Sequence, residues 1–306
     1  MRVLIVGMGV QGKKRKTFCK DEFIGFVDPY NKEANWENIK DVPINNYDAV
    51  LACIPDNPKE NLIKYCIDNG KHILVEKPLF MKNDNLKLLM DDVKKSNIIC
   101  YSAYNHRFEP HFINLKKLID SKKLGKIYSC RMFYGNGTAL LVKNSEWRDK
   151  DSGVLADLGS HLIDTCSFWF DKNIDNKKWN VVSCNKFENK APDHCVIINK
   201  SNEFRIELEM TMLMWKNHFT CDILAENGSA HIESLCKWGP TTFTVRKRII
   251  PSGIPTEKKI ILRKSDPTWE SEYKCFKNLI NKKKNINLDW QINLNNILKS
   301  LSKKIK

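Results

Sequence analysis

The chain opens on a short run that is apolar at every position, Val3-Leu4-Ile5-Val6, and then alternates such runs with amphipathic stretches. Continuous apolar runs predict strands buried on both faces of a parallel sheet, with helices as the crossovers. Residues 23–27 predict a second strand and 48–54 a third, ended by Pro55. Residues 72–75 predict a fourth that runs into Glu76-Lys77-Pro78, and 98–103 a fifth that leads into Tyr104-Asn105-His106-Arg107-Phe108. Between them, Leu62, Ile63, Cys66 and Ile67 recur at helical spacing over 59–68, stopped by Asn69-Gly70. Leu86, Leu89, Met90 and Val93 do the same over about 83–95.

Near residues 104 to 110 the pattern changes. A strand over 128–134 and a helix over 153–170 are followed by extended segments at roughly 179–188, 193–200, 203–214, 217–225, 229–234, 241–249 and 258–263. Ser201-Asn202 and Asn227-Gly228 read as hairpin turns. Helices return over 270–281 and 292–305, the latter with Leu294, Leu298, Leu301 and Ile305 as an apolar stripe. The expected fold is an α/β N-terminal Rossmann domain with a parallel doubly wound sheet, plus an α+β C-terminal domain with a large, mostly antiparallel open sheet. The boundary is expected at 106/107, with the last helix free to pack back on the first domain.

The 306 residues are 42% hydrophobic and suffice for two ordinary domains. No apolar stretch approaches the ~20 residues of a membrane span, and the first strand starts without a charged leader, so a cytoplasmic protein is expected. Eleven scattered cysteines, an odd number without a Cys-x-x-Cys pair, read as reduced, mostly buried thiols. No metal site is expected, because the nearest grouping, Cys184 with His194 and Cys195, lacks the short spacing of ligand pairs. The net charge of +15 shows in runs such as Lys13-Lys14-Arg15-Lys16 and Lys282-Lys283-Lys284. Without a nucleic-acid motif these read as a solvated surface that favours an acidic or nucleotide-linked small molecule over nucleic acid.

Candidate chemistry starts where the first strand ends. Gly7-Met8-Gly9-Val10-Gln11-Gly12 follows it, and Asp28 closes the second strand. Gly7 permits a tight turn, Gly9 leaves room for a pyrophosphate, and Gly12 lets the next helix pack close to the sheet. The phosphates then rest on free helix N–H groups. Asp28 accepts hydrogen bonds from an adenosine ribose and repels a 2′-phosphate, so NAD is favoured over NADP. The overlapping Gly7…Gly12-Lys13 is a broken nucleoside-triphosphate loop, because Lys14 stands where Mg²⁺ needs Ser or Thr.

Three further segments are candidates for the C-terminal edge of the parallel sheet. Lys77, restricted to extended geometry by Pro78, can hold an alkoxide or act as a base; by itself it is equally a surface lysine before a turn. In 153–170 a helix puts Asp157 and His161 on one face with Asp164 beyond. That gives an imidazole flanked by carboxylates that can exchange a proton with a hydroxyl, or a plain structural hydrogen bond. Asn105 and Arg107, with Trp147-Arg148, can bind substrate hydroxyls or anionic oxygens, or serve as interdomain hydrogen-bonding residues. His106 and His111 read as surface histidines.

Taken in order, the glycine fingerprint, Glu76-Lys77-Pro78, Tyr104-Asn105-His106-Arg107-Phe108 and Asp157-x-Gly159-x-His161-x-x-Asp164 resemble the glucose–fructose oxidoreductase / inositol dehydrogenase / rhizopine catabolism (Gfo/Idh/MocA) family. The resemblance covers the first two thirds of the chain. It implies NAD(P)-dependent oxidation or reduction at one carbon of a sugar, inositol or nucleotide-linked sugar, by a homo-oligomer, dimer or tetramer, joined through the C-terminal sheet. Lys77, Asp157 and His161 then match the family's catalytic lysine, acid and histidine. Ile54, Pro55 and Asn57 fall in a cofactor-touching loop, Glu76 lies beside the nicotinamide, and Asn105, Arg107 and Arg148 face the substrate. An NAD-binding regulator without chemistry and an NAD-dependent glycosidase are the alternatives. Departures are the reduced glycine cluster before Asp157, represented by Gly153, and the basic run beside the phosphate loop.

Overall fold

A computed structural model describes residues 1–81, 85–145, 148–170, 174, 177–200, 204–286 and 288–305. Trp147, the Ser201-Asn202 turn and the first residues of the helix expected from 83 lie outside the described residues. The chain divides into two compact units, Met1–Asn105 with Trp269–Asn295, and His106–Thr268 with Asn296–Lys306. Residues 269–295, assigned to the second domain from the sequence, therefore sit in the first unit.

In the first unit, β1 (Val3–Val6), α1 (Val10–Cys19), β2 (Phe23–Val27), β3 (Ala49–Ala52), α2 (Asp56–Asp68), β4 (His72–Glu76), α3 (Asn85–Lys95) and β5 (Cys100–Ala103) follow one another. The strands form one sheet in the order β2-β1-β3-β4-β5, every pair parallel. Alternate side chains serve opposite faces. Leu4, Val50, Ala52, Ile73 and Val75 pack with Leu62, Ile63 and Cys66 of α2 and Leu86, Leu89, Met90 and Val93 of α3. Val3, Ile5, Ala49, Leu51 and Leu74 pack with Cys19 of α1 and with Tyr273, Phe276 and Leu279. That last apolar stripe is why 269–295 joins this unit: it closes the sheet's second face. The strand order reverses at β1/β3, so the turns after β1 and β3 border the crevice where ligands bind in such sheets.

The second unit holds α4 (Pro110–Asp120), β6 (Ile127–Gly135), α5 (Ala139–Lys143), α6 (Ser160–Phe170), β7 (Trp179–Asn185), β8 (His194–Lys200), β9 (Arg205–Thr211), β10 (His218–Ala225), β11 (Gly228–Glu233), β12 (Thr241–Lys247) and β13 (Thr256–Leu262). The chain ends in α7 (Thr268–Lys282) and α8 (Leu288–Ser302). Eight strands lie in the order β13-β12-β11-β10-β6-β9-β8-β7, antiparallel throughout except for β6 with β9. One face is apolar and covered: Phe112 of α4 meets Trp169 of α6 and Phe219 of β10, with ring centroids 5.0 and 5.2 Å apart.

Two local expectations are corrected. The β10–β11 turn is Glu226-Asn227, because Gly228 already pairs with Ala225 at φ +154°, where a side chain would strike the Arg246 carbonyl. The helix expected over 153–170 is present but is not α-helical throughout: a π-helical turn, Leu155–Gly159, precedes α6. Helix α4 was not anticipated, although Pro110 at its first turn and Phe112 and Leu115 on its buried face carry the usual signals. All eleven cysteines are free thiols, and Cys184 and Cys195 are direct cross-strand neighbours. Among the described residues no His, Cys, Asp and Glu grouping is arranged for a metal, and no helix is long and apolar enough to cross a membrane.

Candidate active site

The glycine turn has the build its sequence implies. Gly7 sits at φ +89°, and a Cβ there would lie 2.4 Å from the Cys53 carbonyl oxygen. A Cβ on Gly12 would lie 2.1 Å from the Gly7 oxygen, so only glycine lets α1 approach β1 this closely. At Gly9 the same construction meets nothing within 4 Å. Gly9 is also the N-cap of α1; no side chain caps the helix, and its first turn carries no acidic residue. The first-turn N–H groups, those of Val10 and Gln11 included, are thus left for an anion, and the dipole favours one. Asp28 braces the turn: its carboxylate accepts from Met8 N at 2.9 Å and from Tyr30 N at 3.0 Å. Across the strand-order reversal, Ile54 is half-buried and Pro55 and Asn57 are exposed at the start of α2. These residues fit a dinucleotide.

The basic run beside this turn is not uniformly solvated. Lys13, Lys14 and Lys16 are exposed, but Arg15 is buried at 2% exposure. Arg15 donates to Glu76 Oε1 from Nε at 2.8 Å, with Nη2 2.7 Å from the same oxygen, and its Nη1 lies 2.7 Å from Glu272 Oε2. Burial disfavours the charge on Arg15, yet the two carboxylates outweigh it and raise its pKa. Glu76, expected at the nicotinamide end, is therefore fixed at the end of β4 by a cation from α1.

Lys77 follows, half-buried, in a step with a cis Lys77-Pro78 bond. Beneath the step lies Lys59 of α2, 2% exposed, whose Nζ donates to Asp56 Oδ1 at 2.6 Å and to the Pro78 carbonyl at 2.7 Å. Burial lowers the pKa of Lys59 against the pull of Asp56. Asn105, 9% exposed, stands in the 3₁₀ turn after β5.

In the second unit, Gly153 at φ +45° lets the chain pass against the Pro192 carbonyl, which lies 2.1 Å from where a Cβ would stand. The π turn then carries Asp157 and α6 carries His161 and Asp164. The i→i+5 turn means that simple α-helical spacing does not set where Asp157 lies relative to His161. Each acid is held by an arginine: Arg148 Nη2 donates to Asp157 Oδ2 at 3.2 Å, and Arg107 donates to Asp164 through Nε and Nη2 at 2.7 and 2.6 Å. Arg107 and Arg148, anticipated as substrate contacts, thus also serve as partners of the two carboxylates.

Both histidines expected at the surface are buried. His106 is 2% exposed and stacks on His161, with ring centroids 4.0 Å apart and planes at 21°. Tyr134 of β6 borders both, at 5.4 Å from His106 and 6.3 Å from His161. His111 is 1% exposed, with Nε2 3.2 Å from the Thr241 carbonyl oxygen, and burial lowers its pKa. His106 stands between the polar Asn105 and Arg107, and the groups that bury the two histidines, among them His161, Tyr134 and the Thr241 carbonyl, are remote in sequence.

Similarity to known proteins extends over most of the chain. A family model described as an oxidoreductase family with an NAD-binding Rossmann fold matches residues 1–104, and the Gfo/Idh/MocA C-terminal domain model matches 112–231. Glucose-6-phosphate 3-dehydrogenase of Bacillus subtilis (strain 168) is 27% identical over 144 residues, 45% of this chain and 41% of that protein. Myo-inositol 2-dehydrogenase of Thermotoga maritima is 31% identical over 87 residues, 28% of this chain and 26% of that one. The matched segments span less than half the length of these relatives. The structure of levoglucosan dehydrogenase in complex with NADH superimposes with a TM-score of 0.83 at 17% identity, covering 100% of this chain and 96% of that one. Myo-inositol 2-dehydrogenase from Lactobacillus plantarum gives 0.80 at 18% identity, covering 100% and 97%. These two likenesses concern the fold. With both family models matched in order, the chain belongs to the Gfo/Idh/MocA oxidoreductase family, and its first 104 residues are an NAD-binding Rossmann domain.

Proposed function

We propose that this protein is an NAD-dependent oxidoreductase that moves a hydride between nicotinamide and a hydroxyl-bearing ring carbon of a sugar, cyclitol or nucleotide-linked sugar. The observation that carries the proposal is the uncapped glycine turn closed by Asp28, a site shaped for a pyrophosphate and a ribose without a 2′-phosphate. When bound, the nicotinamide supplies the hydride acceptor or donor. The Met8, Gly9, Val10 and Gln11 backbone lines the phosphate position, and Asp28 takes the adenosine ribose hydroxyls. Ile54, Pro55 and Asn57 border the crevice from the β3 side, and Glu76, held by Arg15, closes the nicotinamide end.

His161 takes the proton from the reacting hydroxyl, or returns it, while the Lys77 ammonium hydrogen-bonds the oxygen and stabilises its negative charge. Asp157, bridged to Arg148, sets the charge beside the imidazole and orients it. Asn105, Arg107 and Arg148 hold the other substrate oxygens. The test is NADH formation with a panel of sugars, cyclitols and nucleotide sugars, in the wild type and in Lys77→Ala and His161→Ala. Loss of turnover by about 10²–10⁴-fold with NADH binding retained supports both roles. Hydride exchange with no member of the panel, despite tight NADH binding, sinks the enzyme assignment in favour of a regulator.

We infer also a homo-oligomer, dimer or tetramer, formed through the outer face of the eight-stranded sheet, where Leu224 and Ile261 are exposed. A monomeric mass by light scattering would exclude it. Eleven free thiols support a reducing compartment such as the cytoplasm.

A further inference from the structure

Beyond its histidines, the second unit carries a cation that the chemistry above does not use. The turn Cys236–Trp238 places Lys237 and Trp238 beside Tyr134. Lys237 Nζ donates to Tyr134 Oη at 3.0 Å and lies 5.4 Å from the centre of that ring and 4.8 Å from the Trp238 ring. The Tyr134 and Trp238 rings are 5.7 Å apart, and Tyr134 is the same residue that borders His106 and His161. Tyr134 is buried, Trp238 half-buried and Lys237 exposed. An ammonium and an indole thus stand one ring away from the proposed proton acceptor, with surface open to a ligand.

Buried groups hold this turn in place. Glu109, 2% exposed, accepts from Cys236 N at 3.2 Å. The Thr241 hydroxyl, also buried, donates to the Glu233 and Ser234 carbonyls at 3.1 and 2.9 Å. The rings confine the lysine, so less side-chain freedom is lost when it takes a ligand.

Charge around the site is unbalanced in the same direction. Asp157 and Asp164 are matched by Arg148 and Arg107. Burial pushes the Glu109 carboxyl up, toward its neutral form, although Cys236 and, more weakly, the Lys237 charge favour its ionised form. Asp266, the next acid, accepts from Thr268 N and Oγ1 at 2.9 and 2.6 Å, with Lys264 close to the same turn. Among the described residues Lys237 has no carboxylate within ion-pair distance. Its ammonium, which donates to Tyr134 Oη and is only weakly coupled to the buried Glu109, stays exposed to a ligand.

We propose that Lys237 and Trp238 form a substrate subsite for a sugar bearing an anionic substituent, with the Trp238 ring as platform for the sugar and Lys237 as counter-charge to the phosphate or carboxylate. This rests on the assignment of the His161 site as the place of sugar oxidation. Lysine suits the task because a compact ammonium recognises a phosphate or carboxylate as a point charge, without the fixed geometry of a guanidinium.

The experiment is calorimetric binding to the NADH-loaded full chain, using glucose, glucose 6-phosphate, glucuronate and UDP-glucose, in the wild type, Lys237→Met and Lys237→Arg. The expected result is at least tenfold tighter binding of one or more anionic sugars than of glucose, a preference that collapses below threefold in K237M and persists in K237R. Glucose 6-phosphate, glucuronate and UDP-glucose separate a phosphate monoester, a carboxylate and a nucleotide diphosphate as its source. Equal binding of glucose and all anionic sugars, no binding of any anionic sugar, or an undiminished preference in K237M overturns the subsite. Because binding is read without turnover, a preference that tracks Lys237 in a protein lacking hydride transfer would keep the subsite while removing the dehydrogenase assignment. Turnover of neutral sugars without any preference would do the reverse.

Discussion

His106 lies flat on His161, 4.0 Å between ring centroids, and that contact fixes the plane of the imidazole proposed to take the substrate proton. Tyr134 walls both rings. Replacing His106 by Leu removes the flat support, and a small misplacement of a reacting group costs heavily in rate. His106→Leu is expected to lower kcat by about tenfold or more, with His106→Phe, which keeps a flat ring, losing less. A wild-type kcat in His106→Leu would remove His106 from any positioning role.

Asp28 joins the end of β2 to the glycine turn through Met8 N, so its carboxylate both shapes the phosphate site and faces the ribose position. Asp28→Ser shortens the acceptor and removes the charge that repels a 2′-phosphate. NADH affinity is expected to fall about tenfold, or ~1.4 kcal/mol, while NADPH affinity rises. Titration of both cofactors against both proteins measures the change; an unaltered NADH to NADPH ratio would show that selectivity is set elsewhere.

The strands and the glycine turn were legible because their causes are local. Runs such as Val3–Val6 and the alternation of His218–Ala225 reflect which faces are covered, and Gly7 and Gly12 stand where any Cβ would collide with backbone. The π turn at Leu155–Gly159 was not legible, since i→i+4 and i→i+5 bonding leave nearly the same apolar spacing over five residues. Nor was Arg15 distinguishable inside Lys13-Lys14-Arg15-Lys16, because what buries it is Glu76, 61 positions away, together with Glu272 from α7. His106 escaped for the same reason: its stacking partner comes from a different helix.

Arg15 bridges two buried carboxylates, and its removal is expected to be costly. Arg15→Met removes the guanidinium that both Glu76 and Glu272 meet, a change worth about 3–5 kcal/mol at a buried pair. Glu272→Gln in the Arg15→Met background takes away one of the stranded charges and is expected to restore part of the loss. Urea midpoints of the single and double variants test this coupling. Strict additivity of the two substitutions would mean that Arg15 and Glu272 do not act as a pair.

Lys59 ties α2 to the step that carries Lys77, through the Pro78 carbonyl and Asp56. Lys59→Met keeps the length and apolar stem of the side chain but releases both acceptors, so the backbone next to Lys77 loses its anchor. Turnover is expected to fall by about 10²-fold, with NADH affinity much less affected, because displacement of the ammonium acts on the reacting oxygen and not on the pyrophosphate turn. The pH dependence of stability gives a second readout. Burial holds the pKa of Lys59 below the ordinary 10.5, so between the lowered value and 10.5 the unfolded chain binds more protons than the folded one. Unfolding free energy therefore rises with pH across that window in the wild type. Lys59→Met lacks the titrating group, and its melting temperature should fall further behind the wild type as pH is raised through the window that ends at 10.5. A gap that stays constant over this range, with kcat unchanged, would show that Lys59 neither titrates in the fold nor positions Lys77.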